Sequence, residues 1–143
     1  MKIAVRYSSR GGNTKAVAEI IAKQAEVKAL RVFEPISEEV DVLFLGGGVW
    51  FANVTKDMKE FLATLDKNLI KKIVVFSTSG DLNSAIKVIK AAATKAGIPV
   101  VEQSLTLKLG LRGFSLMAPA GGDLKPEQIK RVEKFADDVL QNL

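Results

Sequence analysis

The sequence predicts an α/β domain: a parallel sheet covered by helices on both faces. Three observations carry this. Short apolar runs such as Ile3-Ala4-Val5 alternate along the chain with stretches of helical spacing. The runs at 41–45 and 72–76 are almost unbroken, as suits strands buried on both faces rather than one. Clusters of Ser, Thr, Gly and Asn follow the first, third and fourth runs, where a strand would hand over to a helix. At 143 residues and 48% hydrophobic, the chain suits one domain, 1–143, with enough apolar material for two covering layers.

The elements follow in order. Residues 2–7 form strand one, and 14–26 a helix with Val17, Ile20 and Ile21 on one face and Ala18, Ala22 and Ala25 allowing close packing. Residues 28–33 form a short second strand that Pro35 ends, and 41–45 a third. Only about eight residues, 34–41, link strands two and three, less than the usual helical crossover. Eight extended residues still reach ~26 Å, enough to cross a sheet, so the second helix is expected to shrink to one turn near 37–40 or to vanish. Residues 46–54 read as a loop, and Thr55 as the cap of a helix that turns Met58, Phe61, Leu62 and Leu65 inward. Residues 72–76 are strand four and 77–81 another Ser/Thr/Gly loop. A helix over 82–96 stops at Gly97, and 99–108 is strand five. The glycine-punctuated stretch 109–119 carries no assignment, and 109–122 no functional role. A last helix starts at Lys125 or Pro126, with proline suited to the first turn, and runs to Gln141.

Composition excludes much chemistry. The chain has no Cys and no His. Disulfides, thiolate metal sites, Cys-ligated iron–sulfur clusters, Cys nucleophiles and Ser-His-Asp triads are therefore impossible. Redox chemistry in such a chain would have to be carried by a bound cofactor. No metal site is expected. No apolar run approaches a membrane span, and no signal segment precedes Lys2, so the expectation is a cytoplasmic protein with no membrane partner. Net charge is +5, from 21 Lys and Arg against 16 Asp and Glu. The lysines are spread along the helices without interleaved aromatics, which argues against nucleic acid and leaves an acidic protein partner as the complement.

The stretch 7–14, Tyr-Ser-Ser-Arg-Gly-Gly-Asn-Thr, lies between strand one and the first helix. A strand, a small polar loop and a helix start make an anion-binding turn, because free backbone N–H groups and the helix dipole both favour negative charge there. The glycines permit close approach, and the hydroxyls of Ser8, Ser9 and Thr14 can donate to phosphate oxygens. The Walker and dinucleotide glycine patterns are both absent. The stretch resembles the flavodoxin phosphate loop, Ser/Thr-x-Thr-Gly-Asn/His-Thr/Ser, with Ser9, Arg10, Gly11, Gly12, Asn13 and Thr14 in those places. Gly11 stands where that family usually has Thr. A receiver domain shares the strand order but needs an acidic pair where this chain has Ser8-Ser9 and an Asp where it has Gly46-Gly47.

The resemblance covers nearly the whole chain. It implies a three-layer flavodoxin-like fold, a five-stranded parallel sheet of order 2-1-3-4-5, and a ligand at the switch point between strands one and three. It implies FMN as cofactor, its phosphate held by residues 8–14. The family's stacking aromatic lies in the loop after strand three, which here contains Gly48, Val49, Trp50 and Phe51, with Trp50 as the stacking residue. Phe51 follows it where many flavodoxins have Gly. Ser77, Thr78, Ser79 and Gly80 match the family's second flavin loop by position. The reading is thus an FMN-binding electron-transfer protein, monomeric, with no catalytic residue, exchanging electrons with partner proteins. Two other readings stand beside it. One is an FMN-dependent NAD(P)H or quinone-type reductase. The other is a flavodoxin-fold interaction module without FMN, toward which Gly11, Phe51 and the positive charge point.

Overall fold

The computed structural model describes residues 1–8, 13–48, 54–78, 84–107 and 124–143. Five parallel strands form one sheet: β1 (Ile3–Ser8), β2 (Ala29–Arg31), β3 (Val42–Gly47), β4 (Ile73–Ser77) and β5 (Leu105–Thr106), in the order β2-β1-β3-β4-β5. The described helices are α1 (Asn13–Gln24), α2 (Lys56–Leu62), α3 (Ser84–Lys95) and α4 (Pro126–Gln141). None is long and apolar enough to cross a membrane. The expected fold class and strand order are both observed.

Alternation along the strands builds two cores. Val5 and Tyr7 of β1, Val42 and Phe44 of β3, and Val74 and Phe76 of β4 face one side, where Val17 and Ile21 of α1 and Val132, Ala136 and Val139 of α4 cover them. Leu43, Leu45, Ile73 and Val75 face the other side, against Met58 and Phe61 of α2 and Ala85, Ile89 and Ala93 of α3. Helix ends are closed locally. At Gly97, φ is +78°, and the Ile98 and Gly97 N–H groups return to the Ala93 and Thr94 carbonyls. Gln128 Oε1 accepts from the Lys125 N–H at 2.8 Å ahead of Pro126, which opens α4 as expected.

β2, β3 and β5 differ in extent from the expected strands, while the link between β2 and β3 takes one of its expected forms. No helix forms between β2 and β3, one of the two outcomes foreseen for residues 37–40. Arg6 fastens this connection instead. Its guanidinium, in a side chain only 9% exposed, donates to the carbonyls of Glu34 at 2.8 Å and Pro35 at 3.4 Å. Burial lowers the Arg6 pKa from its ordinary value, with Glu34 opposing the shift. Val32 and Ile36 pack beneath this segment, while Leu30 and Phe33 stay exposed where a second helix would lie.

Strand three does not end at Leu45: Gly46 and Gly47, expected in the loop, continue the ladder opposite Phe76 and Ser77. The reason is steric. A Cβ on Gly46 would lie 2.2–2.5 Å from atoms of the Phe76 ring, which occupies that space. β2 is shorter than 28–33 at the sheet edge. Strand five, expected over 99–108, is interrupted. Val100 pairs with Ile73 and Leu105 with Phe76, so this strand spends two more residues than β4 between the pairing points. The surplus falls at Glu102, Gln103 and Ser104, all exposed, as a polar edge strand allows.

Gly46→Ala should lower stability by about 1–3 kcal/mol, because the fully buried Phe76 ring cannot yield without repacking. Chemical denaturation of the purified variant checks this, with an unchanged midpoint counting against the close packing.

Candidate functional site

Register places the carboxyl ends of four strands in one row. Ser8 pairs with Gly47, Gly47 with Ser77, and Ser77 with Thr106. The gap between β1 and β3 in this row is the switch point, because β2 continues from β1 to one side and β4 and β5 from β3 to the other. Parallel strands of this layout bind ligands beyond such a point.

Three elements meet just past the row. Thr14, in the first turn of α1, and Thr78, following β4, bring their hydroxyls to 2.8 Å. Both residues are buried. Gly48, following β3, lies beside them: a Cβ there would be 3.5 Å from Thr78 Oγ1 and 3.8 Å from Thr14 Oγ1. Thr14 reaches this point because Val17, Ala18 and Ile21 seat α1 against β1 and β3. Thr78 reaches it because β4 is buried along its whole length. The described residues that follow β3 and β4 and open α1 thus converge at one spot. Ser77 is fully buried at the end of β4, and Asn13 is half-buried as the first residue of α1.

Ser8 is oriented differently from the expectation that its hydroxyl faces an anion. Ser8 Oγ donates to Asp57 Oδ1 at 2.9 Å and lies 2.5 Å from Thr55 Oγ1. Thr55 occupies the N-cap position of α2, as expected, but makes no side-chain cap to the helix backbone. Its hydroxyl donates to Asp57. Ser9, Arg10, Gly11, Gly12, Val49, Trp50, Phe51, Ser79 and Gly80 lie outside the described residues. Tyr7 is buried in the α1/α4 core with the Arg31 guanidinium 5.6 Å above its ring.

Arg6, Thr55 and Asp57 were not singled out as site residues by the sequence. A signal existed for Arg6: a lone charge inside an apolar strand, in a domain whose second crossover is too short for a helix. None existed for Asp57. A Thr-x-Asp pair opening a helix reads as local capping, whereas Asp57 also accepts from Ser8, 49 residues away.

Thr14 and Thr78 should behave as a coupled pair. Among the described residues each hydroxyl has the other as its hydrogen-bond partner. Thr14→Val or Thr78→Val alone should cost about 1–3 kcal/mol by leaving a buried hydroxyl unpaired, and the double variant clearly less than the sum. A double-mutant cycle of unfolding free energies measures this coupling, and additive costs would contradict it.

A family model described as the flavodoxin domain matches residues 4–98. No curated protein matches the sequence. Solved structures share the fold at low identity. A flavodoxin from the domain Archaea superposes with a TM-score of 0.76 at 18% identity, covering 99% of this chain and 98% of that one. The rubredoxin oxygen:oxidoreductase of Desulfovibrio gigas superposes with a TM-score of 0.75 at 14% identity, covering 99% of this chain but 35% of that one. An NADH:FMN oxidoreductase superposes with a TM-score of 0.66 at 15% identity, covering 100% of this chain and 90% of that one. The sequence match over strands one to four and the row of strand ends it leads to agree with each other: the chain belongs to the flavodoxin-domain family.

Proposed function

We propose that this protein binds FMN non-covalently and serves as an electron carrier. The observation that carries the reading is the meeting of Thr14, Gly48 and Thr78 beyond the level ends of β1, β3 and β4. The residues there fit the cofactor. Two facing hydroxyls have two protons, and only one is used between them, so the other can be donated to an anion. The first turn of α1 contains no acidic residue, and the N–H groups and dipole of a helix start favour phosphate. Gly48, lacking a side chain, lets a flat ligand approach the backbone.

In this reading Ser8, Ser9, Arg10, Gly11, Gly12, Asn13 and Thr14 hold the phosphate, with Ser8 contributing backbone and position because its hydroxyl is committed to Asp57. Gly48, Val49, Trp50 and Phe51 form one wall of the ring site, with Trp50 stacking, and Ser77, Thr78, Ser79 and Gly80 line the other edge. Bound FMN supplies reversible uptake of electrons, which the His- and Cys-free chain cannot supply itself. The chain orients the cofactor and shields it from water. Its partners are redox proteins with an acidic docking face, matched to the +5 charge, and its place of work is the cytoplasm.

The likeness in fold to an NADH:FMN oxidoreductase supports a second reading, an FMN-dependent reductase. Two measurements separate and test these. Asn13→Ala and Thr14→Ala should each weaken FMN binding by about tenfold or more, the value of one hydrogen bond to a charged group. Unchanged affinity removes the phosphate assignment. The wild-type holoprotein alone should not turn over NADH or NADPH; sustained oxidation of either would favour the reductase.

A further inference from the structure

A polar cluster on the α2 side of the sheet joins two segments that the FMN reading uses separately. Ser8 is the last residue of β1, before residues 9–12. Thr55 lies between residues 49–53 and α2. Asp57, in the first turn of α2, accepts from both: from Ser8 Oγ at 2.9 Å and from Thr55 Oγ1. The Met58 N–H donates to the same oxygen at 2.9 Å. The cluster is seated by packing, since Ser8 pairs with Gly47 and a Cβ on Gly47 would touch Met58 Cε at 3.3 Å. Burial pushes the Asp57 carboxyl up, but the hydrogen bonds from Thr55, Ser8 and the backbone N–H groups of Met58 and Asp57 outweigh it, and the group stays below the ordinary carboxylate value.

A local helix cap would not be built this way. The N-cap hydroxyl of Thr55 is turned away from the helix backbone, toward a strand 47 residues earlier. Nor does the arrangement assist an anion by charge. A carboxylate whose hydrogen-bond partner begins the phosphate loop repels a bound phosphate. What the carboxylate can do is hold both hydroxyls at once, as an ionised oxygen is an acceptor only.

We infer that Asp57 is a positioning residue: it fastens Ser8 and Thr55 to each other and so fixes where the loop after β1 begins relative to where the loop after β3 ends. This rests on the FMN reading for its functional consequence, though not for the clasp itself. Charge and positioning predict opposite signs. If Asp57 acted only by repulsion, its removal would tighten FMN binding. If it positions the loops, removal weakens binding, and an isosteric acceptor restores part of it.

The test compares wild type, Asp57→Ala and Asp57→Asn in FMN titrations, together with hydrogen exchange of the apoproteins. With wild type binding FMN, Asp57→Ala should bind about tenfold more weakly or worse, and Asp57→Asn, which keeps an acceptor oxygen in place, should fall between the two. Equal or tighter binding by both variants would overturn the inference while leaving the FMN reading standing. Should wild type not bind FMN, the FMN reading fails by itself and exchange decides the clasp. Faster exchange in Asp57→Ala in the peptides spanning both 8–13 and 49–55 would support it, and unchanged exchange in them would overturn it.

Discussion

The close approach of β3 to the Phe76 ring is the constraint on which the rest depends. Gly46 leaves a space that the ring fills, so β3 can run on beside β4 as far as Gly47 and Ser77 without splaying. β1 pairs with β3 to the same level, at Ser8. A shorter β3, ending at Leu45, would leave Ser8 and Ser77 without the strand that separates and aligns them. The glycines here serve packing first. Of these three, Gly48 alone lies beyond the ladder.

From this row two hydrogen-bonded ties lead in opposite directions. On the α1 side, Thr14 meets Thr78 and brings the first and fourth strand ends together. On the α2 side, Asp57 gathers Ser8 and Thr55 and brings together the first and third. Each tie uses small hydroxyl side chains, which cost little conformational entropy to order.

Most of the fold was legible because it rests on patterns that survive without partners. The near-unbroken apolar strands, the helical spacing of Val17, Ile20 and Ile21, and Pro126 opening the last helix are local signals, and the structure follows them. The short 34–41 link announced that a helix would be missing, although not that Arg6 would replace it with hydrogen bonds to Glu34 and Pro35. The failures have one cause. Gly46 and Gly47 looked like loop because the ring that needs the first of them lies 30 residues further on, at Phe76. Strand five looked continuous because Val100, Val101, Leu105 and Leu107 carry the apolar signal across an exposed polar surplus. Ser8 looked free for a phosphate because Asp57 becomes its neighbour only through topology. Of the site, Thr14, Gly48 and Thr78 could be named from the loop resemblance, whereas their mutual contact could not.

FMN binding at the switch point decides what this protein does. The most direct measurement is an equilibrium titration of the wild-type apoprotein with FMN, following flavin and Trp fluorescence together, since Trp50 is the only Trp in the chain. The account predicts saturation at one FMN per chain with both signals quenched. No change in either signal at micromolar protein would contradict it, leaving a flavodoxin-domain fold whose row of strand ends serves something other than FMN.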